Sequence, residues 1–296
     1  MKAIRFAPAL LLLAACSGSA PKYDATGTFE ATEVLVSAEA TGRLWQLDVE
    51  EGMTFSAGQQ VGLIDTVQLG LKKRQLEAGA RSVSEQRPDI GTQMAATRTQ
   101  IAAAQRELHR TENLLAAGAA NAKQLDDARD RLNLLQRQLA AQQSSLGNSD
   151  RSLTAQTQVA DVQVAQVADQ LRKCHITAPI TGTVLAKYAE AGEWTVPGSP
   201  LFKMADVGKM YLRAYITSQQ LAEVRLGQHV TVYSDYGDDR RKAYPGTITW
   251  ISETSEFTPK TILTKDERAA LVYAVKVQVK NDGLLKIGMY GGMTLQ

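Results

Sequence analysis

The sequence predicts an α+β fold with three parts: a small β-sandwich, a long α-helical hairpin inserted into it, and a C-terminal β domain. Three observations lead to this prediction. A short glycine-containing motif in residues 36–65 recurs in residues 174–206. Between the two copies lie two long segments with a heptad pattern of apolar side chains. Residues 207–296 instead alternate short β-type runs with turns.

The first residues of the chain have the features of a targeting segment. Lys2 and Arg5 precede an apolar run that is too short to span a bilayer as a mature helix. The order Leu13-Ala-Ala-Cys16 follows and resembles the bacterial lipobox. Residues 1–15 are therefore predicted to be a lipoprotein signal peptide, and Cys16 is predicted to be the lipid-modified first residue of the mature chain. The alternative is an ordinary secretory signal with a cysteine nearby.

The repeated motif predicts the two halves of one sandwich. Ala38 and Gly42 in the first half correspond to Ala178 and Gly182 in the second, and conservative apolar pairs fill the positions between the matches. Each half alternates short strand-like runs with glycine turns. A unit this short cannot bury its apolar face alone, so the two halves are expected to pair with each other.

The insertion at residues 66–173 is predicted to be a helical hairpin. Its two arms, residues 67–116 and 122–171, have a composition that favours helices. Between the arms, Gly118 suits the left-handed conformation that ends many helices. Asn121 suits the N-cap of the second helix, because its side chain can accept a hydrogen bond from a free backbone N–H.

The heptads predict how the two arms pack against each other. Pro88 and Gly91 interrupt the register of the first arm, so we expect this arm to be bent or unwound there. The second arm keeps one register and is expected to continue through Gly147. The predicted seam residues are Leu69, Leu76, Val83, Ile90, Met94, Ile101, Leu108 and Leu115 in the first arm, and Leu125, Leu132, Leu139, Leu146, Leu153, Ala160 and Val167 in the second.

The charge balance argues against a nucleic-acid partner. Removal of residues 1–15 takes away Lys2 and Arg5 and no acidic residue, so the 33 basic side chains become 31, which equals the 31 acidic ones. Binding to phosphates depends on concentrated positive charge, which a chain of zero net charge lacks.

The sequence contains no constellation of catalytic residues, so we expect a protein that is not an enzyme. It has three histidines, no paired-cysteine metal motif and no phosphate-binding loop. Cys174 and His175 are adjacent, which raises the possibility of a nucleophile or a metal ligand. The simpler interpretation is that Cys174 packs in the core where a strand begins after the long helix.

Two paired half-motifs of this kind resemble the lipoyl/biotinyl domain. In the carrier enzymes of that family, a lysine in the turn between the halves takes the cofactor. Here the hairpin replaces that turn, and no lysine lies in a tight turn between the copies. No cofactor is therefore expected.

A lipoyl-like sandwich split by a coiled-coil hairpin resembles the HlyD-type periplasmic adaptors, also called membrane fusion proteins. The resemblance covers nearly all of the mature chain. Its most specific segments are Ser37-Ala-Glu-Ala-Thr-Gly-Arg-Leu, Thr177-Ala-Pro-Ile-Thr-Gly-Thr-Val and Gly288-Met-Tyr-Gly-Gly. It implies that residues 207–296 form a β-barrel domain and that residues 16–35 form a linker followed by the first barrel strand.

The same resemblance implies the function of an adaptor in a tripartite efflux or secretion system. Such a protein is lipid-anchored in the periplasm, here to the inner membrane, and forms rings that usually contain six copies. It links an inner-membrane transporter to a TolC-like outer-membrane channel.

The resemblance favours an ABC-type transporter as the partner. The segment from Glu256 to Tyr273 resembles adaptors of ABC-type exporters. Adaptors of RND-type pumps usually have a fourth, membrane-proximal domain after the barrel. That domain is expected to be absent here, because the chain stops at Gln296, where the last barrel strand is expected to end. An adaptor of an RND-type pump is the alternative. A coiled-coil envelope lipoprotein without a transporter is a third possibility.

The tip of the hairpin is the predicted contact with the outer-membrane channel. The family has an Arg-x3-Leu-x6-Ser pattern there, and it maps to Arg110, Leu114 and Asn121, with asparagine in place of serine. Each residue also has a structural interpretation. Leu114 could pack in the seam, Asn121 could serve as a helix cap, and Arg110 could lie on a solvated face.

Overall fold

The computed structural model describes residues 23–237, 241–257 and 271–295. The predicted signal peptide and Cys16 lie outside these residues. The strands are β1 (Ala25–Ser37), β2 (Gly42–Leu47), β3 (Thr54–Phe55), β4 (Gln60–Ile64), β5 (His175–Thr177), β6 (Gly182–Lys187), β7 (Trp194–Thr195), β8 (Pro200–Thr217), β9 (His229–Asp235), β10 (Arg241–Phe257), β11 (Leu271–Lys280) and β12 (Tyr290–Leu295). The helices are α1 (Val67–Glu85), α2 (Ile90–Ala116), α3 (Ala122–Lys173) and α4 (Ser218–Leu221).

The two half-motifs form one β-sandwich, as the repeat predicts. One sheet has the strand order β5-β4-β2-β7 and takes two strands from each half. The other sheet pairs β3 and β6 with the sandwich ends of β8 and β1. Neither half can complete its backbone hydrogen bonds alone, because every sheet needs strands from both. The shared core contains Leu44, Leu47, Ile64, Cys174, Ile176, Leu201, Phe202 and Met204.

The C-terminal strands form a closed barrel. The order β1-β12-β9-β10-β11-β8 is closed by the pairing of β1 with β8, so the predicted first barrel strand is present in β1. The interior is filled by apolar side chains, which include Phe29, Met210, Leu212, Ile216, Val232, Ile248, Val277 and Met293.

β1 and β8 run through both the barrel and the sandwich. Their ladder extends from the pair Thr26 and Tyr215 to the pair Ser37 and Pro200, with a register shift at Ala31–Glu33. The predicted domain limits at residues 35 and 206 therefore lie inside strands. This continuous two-stranded ladder is the covalent and hydrogen-bonded connection between the two β domains.

The inserted hairpin has the predicted asymmetry. The first arm is broken between α1 and α2, and α3 continues without interruption through Gly147. Pro88 cannot donate a helical hydrogen bond, so the helix stops before it. Asp89 then caps α2, since its carboxylate accepts hydrogen bonds from the backbone N–H of Thr92 at 3.1 Å and from its hydroxyl at 2.6 Å.

The arms meet along the predicted seam. All of the predicted seam residues are buried or half-buried, and Met94, Leu125 and Val167 are among the buried ones. Polar contacts supplement the apolar ones in the middle of the hairpin. The Thr97 hydroxyl donates to Gln142 Oε1 at 3.1 Å, and the Gln142 amide donates to the Gln93 carbonyl at 3.1 Å.

A bidentate ion pair joins the arms at the helix break. Arg87 Nε donates to Asp150 Oδ1 at 2.8 Å, and its terminal nitrogen donates to Oδ2 at 3.3 Å. The hydrogen bond from Arg87 lowers the pKa of Asp150. Both groups are partly exposed, so this pair orients the linker more than it stabilises the fold.

α4 is shorter than the sequence predicts. The sequence from Ser218 to Arg225 favours a short helix, but the helix ends at Leu221. Val224 is 6% exposed and belongs to the barrel core, so the chain must turn inward before a second helical turn can form.

We predict that Gly147→Ala raises the free energy of unfolding of the hairpin by about 1 kcal/mol, because glycine is a poor helix former. A Cβ at this position meets no atom within 4 Å, so no steric cost opposes the gain. Urea denaturation followed by circular dichroism measures the change. Gly118→Ala is the control, since Gly118 has the same open surroundings but a φ of +71°. It should lower stability by roughly 1–2 kcal/mol. Equal effects of the two substitutions would contradict the prediction.

Candidate functional site at the hairpin tip

The tip is a short turn that reverses the chain between α2 and α3. Gly118 adopts a φ of +71°, a conformation that other residues rarely take. The N–H groups of Ala117, Gly118 and Ala119 donate to carbonyls of the last turn of α2, at 2.8 to 3.1 Å. The turn therefore satisfies the end of α2 and holds the neighbouring side chains in fixed positions.

Asn121 starts α3 with a complete capping box. Its side-chain oxygen accepts a hydrogen bond from the Gln124 N–H at 2.9 Å, and the Gln124 side-chain oxygen accepts one from the Asn121 N–H at 3.0 Å. The amide oxygen of Asn121 is thus used by the helix. Its amide nitrogen has no hydrogen-bond partner in the described part of the chain, and two N–H donors point away from the cap.

Leu114 faces solvent at the end of α2. It is 41% exposed, whereas its neighbour Leu115 is half-buried and takes the seam position. The structure therefore does not support the interpretation of Leu114 as seam packing.

Arg110 lies one helical turn before Leu114, on the same face of α2. Its side chain is 73% exposed, and its guanidinium is 3.9 Å from the Glu107 carboxylate. At this exposure the pair is weak, and the guanidinium is accessible to a partner. The structure thus brings Arg110, Leu114 and Asn121 to one end of the hairpin, each with an accessible group.

Just below the tip, a charged cluster connects the two arms, and this cluster was not predicted from the sequence. Arg129 of α3 lies 3.8 Å from Glu112 of α2 and 4.0 Å from Asp126 of its own helix. The i, i+3 spacing of Asp126 and Arg129 was visible in the sequence. The contact with Glu112 was not, because it depends on how the arms align.

Cys174 has a structural position. It is fully buried, its thiol donates to the Gln170 carbonyl at 3.3 Å, and burial raises the pKa of the thiol. A thiol with a raised pKa is a poor nucleophile and a poor metal ligand at neutral pH. The neighbouring His175 is exposed, with Nδ1 3.1 Å from Gln60 Oε1.

Two further features bear on the chemistry of the chain. In the ranges 23–237, 241–257 and 271–295, no three His, Cys, Asp or Glu side chains cluster in a way that could hold a metal ion. Within the same ranges, every helix is too short or too polar to cross a bilayer.

Solved structures share this fold. MacA from Actinobacillus actinomycetemcomitans matches with a TM-score of 0.54 at 22% sequence identity, over 91% of this chain and 76% of that one. The membrane fusion protein Spr0693 from Streptococcus pneumoniae matches with a TM-score of 0.50 at 19% identity, over 92% of this chain and 97% of that one. The fold is that of the membrane fusion proteins, or periplasmic adaptors, which confirms the resemblance found in the sequence.

Relatives in sequence identify the family. No protein-family model matches the chain. The UPF0194 membrane protein YbhG of Salmonella gallinarum is 31% identical over 286 residues, which cover 89% of this chain and 85% of that protein. The chain belongs to the UPF0194 membrane protein family.

We predict that Asn121→Ala lowers the free energy of unfolding by about 1 kcal/mol, because it removes one half of the capping box. Thermal denaturation followed by circular dichroism tests this. Asn113→Ala is the matched control, because the Asn113 side chain is exposed on α2 and makes no hydrogen bond in the described residues. It should be neutral or slightly stabilising. An unchanged midpoint for Asn121→Ala would show that the cap is not formed in solution.

Proposed function

We propose that this protein is the periplasmic adaptor of a tripartite efflux or secretion system. It connects an inner-membrane transporter to a TolC-like outer-membrane channel, and it does no chemistry of its own. The observation that carries the proposal is an exposed, well-formed tip at the end of a long hairpin whose base is fixed in the sandwich.

The length of the hairpin suits a connector that spans part of the periplasm. α3 has 52 residues. At a rise of 1.5 Å per residue, it is about 78 Å long. A helix pair of this length suits a protein that connects two partners in different membranes.

The chemistry of the tip suits a docking contact that must be oriented and reversible. Arg110 offers a cation that can pair with a carboxylate, and Leu114 offers an apolar knob one turn away. Asn121 adds two N–H donors from the start of α3. Contacts of this mixed kind give orientation through the polar groups and affinity through the apolar one.

For the inner-membrane partner, we propose an ABC-type transporter. The support is the resemblance of the segment from Glu256 to Tyr273 to adaptors of ABC-type exporters. Most of that segment, residues 258–270, lies outside the described residues. An RND-type pump is the alternative, and copurification of the transporter with the intact adaptor distinguishes the two.

The proposal includes membrane attachment and assembly. The lipobox-like sequence supports an anchor at Cys16. We propose the inner membrane as the site of attachment, because the transporter partner lies there. Several acyl chains give stable attachment without a transmembrane helix. We further propose that copies assemble into a ring, with six as the expected number, so that substrate passes through its centre.

We predict that Arg110→Asp combined with Leu114→Ser abolishes export and crosslinking to the outer-membrane channel. The fold, lipidation and transporter binding should be unchanged, since both side chains are exposed and contribute little to stability. Export assays and crosslinking in cells measure the effect.

A matched control makes the same two types of substitution farther from the tip, on α3. Arg137→Asp combined with Leu134→Ser changes an exposed arginine and a leucine that is 67% exposed on α3. This variant should export normally. Full export by the tip variant would mean that docking lies elsewhere on the adaptor.

We predict that Cys16→Ala yields protein without a lipid and releases it from the membrane fraction. Mass spectrometry and fractionation measure the two effects. Cys174→Ala is the control, because Cys174 is buried in the sandwich and should leave lipidation unchanged. A Cys16→Ala protein with the mass shift and membrane fraction of the wild type would refute the anchor.

A further inference from the structure

The segment before β1 is fastened to the end of the barrel that lies away from the sandwich. The Asp24 N–H donates to the Met293 carbonyl at 3.0 Å, and the Asp24 carboxylate accepts from the Leu295 N–H at 2.7 Å. The Gln220 side-chain amide donates to the Asp24 carbonyl at 2.5 Å. Asp24 is thereby joined to both β12 and α4, so closure of the barrel fixes its position.

Tyr23 holds the same segment against the outer surface of the barrel. Its ring lies over Gly292 of β12, where a Cβ would collide with the ring, so only glycine fits there. The Tyr233 ring centroid is 5.6 Å away, and the Arg241 guanidinium is 5.5 Å from the Tyr23 centroid, within the range of a cation–π contact. We call Tyr23 and Asp24 the clamp.

The clamp is close in sequence to the proposed lipid anchor. Six residues, 17–22, separate Cys16 from Tyr23. Seven steps of fully extended chain span at most about 25 Å. With the proposed lipid at Cys16, whose acyl chains are in the bilayer, the clamp therefore lies within about 25 Å of the membrane surface.

Two leucines are exposed at this end of the barrel. Residues 218–228 connect β8 to β9 across it, and Leu226 in this connection is 69% exposed. Leu271, which is 47% exposed, begins β11 at the same end, where Val272 pairs with Thr217. We call the clamp, residues 218–228 and Leu271 the tether end of the barrel.

The charges of the connection across the tether end balance. The exposed Glu223 and Arg225 are its charged residues, one acidic and one basic. A contact of this surface with a bilayer therefore does not require anionic lipids, and the apolar side chains supply the attraction.

A weak contact suffices when the partner is tethered. One exposed leucine gives a freely diffusing protein little affinity for a bilayer. A short flexible tether raises the effective concentration of the linked partner to the millimolar range, so a contact of millimolar strength is well populated. Leucine is a side chain that enters the boundary between headgroups and acyl chains in peripheral membrane proteins.

We infer that the tether end of the barrel rests on the lipid bilayer, with Leu226 in the boundary between headgroups and acyl chains. The clamp makes the lipid anchor an orienting device, because the short tether holds one particular end of the barrel at the membrane. The inference rests on the proposed anchor at Cys16. Vesicle flotation reports the anchor and probe depth reports the contact, so the two can fail separately.

Fluorescence of the full-length, lipidated adaptor in phosphatidylcholine vesicles without a transporter tests the inference. A Leu226→Cys chain carries an environment-sensitive dye, and Cys174 is buried, so background labelling is low. The dye emission should rise and should be quenched by nitroxides on the lipid acyl chains. Leu284→Cys is the matched control, a leucine that is 51% exposed at the sandwich side of the barrel, where the Asn281 N–H donates to the Gly208 carbonyl. Its dye should not be quenched.

A second variant tests the leucine itself, with the dye on Leu271→Cys. Leu226→Asp should lower the quenching about ten-fold, because an apolar contact is replaced by a carboxylate that stays in water. Leu284→Asp in the same labelled chain is the control and should leave the quenching unchanged. Circular dichroism verifies that both variants are folded.

Tether length provides a third test. Insertion of about twelve Gly and Ser residues after Ala20 should lower the effective concentration of the tether end at the membrane about four-fold and the quenching with it. Tyr23→Ala releases the clamp and should act in the same direction. Both variants should still float with the vesicles, because the lipid is retained.

Three outcomes would overturn the inference. The dyes at Leu226 and Leu284 could respond equally, which would show that the barrel has no preferred end at the membrane. Quenching could be unaffected by Leu226→Asp, which would exclude the leucine from the contact. Quenching or dye burial that requires a reconstituted transporter would assign the tether end to that protein. Loss of flotation for the wild type would refute the anchor, whereas floating protein without quenching at Leu226 would refute the contact alone.

Discussion

The rest of the structure depends on the pairing of β4 with β5. These strands belong to different halves of the repeat, and they join Gln60 to Thr177 and Leu63 to His175. The Ile64 N–H also donates to the Cys174 carbonyl at 2.9 Å. Because β4 leads into the hairpin and β5 leads out of it, this ladder holds the two ends of a long insertion at neighbouring positions. The insertion is therefore required to return antiparallel to itself, and the lengths of its arms must match.

This closure explains how the hairpin accommodates a broken helix. Residues 86–89 interrupt the first arm, yet both arms still reach the same tip. Asp89 restarts the helix with its own cap, and Arg87 fixes the linker to Asp150 on the facing arm. The facing arm has its weakest helical position, Gly147, within one turn of Asp150. Both arms thus have a position that disfavours a continuous helix at the same level of the hairpin.

Much of this architecture follows from local sequence. The matched glycines of the two halves, the spacing of leucines by seven and the interruption by Pro88 each have a direct backbone or packing cause, and the structure agrees with them. The shared strands β1 and β8 could not be predicted, because nothing local indicates that a ladder continues from one domain into the next. The early end of α4 was missed for a similar reason, since the burial of Val224 depends on the barrel. At the tip, the sequence predicted Asn121 as a cap. That its amide oxygen, and not its nitrogen, is used by the helix is seen only in the hydrogen bonds of the folded turn.

Side chains at the base of the hairpin are constrained by packing in the core, whereas Arg110 and Leu114 at the tip are exposed. The residues proposed for binding are therefore different from the residues needed for folding. At the base, a change in Ile64 or Cys174 alters the shared core, so few side chains fit. At the tip, Arg110 and Leu114 are exposed and their replacement leaves no cavity. Asn121 has both a folding role and an accessible polar group, because its oxygen completes the capping box while its nitrogen has no hydrogen-bond partner among the residues that the structure describes. An asparagine at this position can therefore preserve the helix start and still present donors to a partner. Its alanine variant removes the cap together with the two donors, so a stability measurement is needed to separate the two effects.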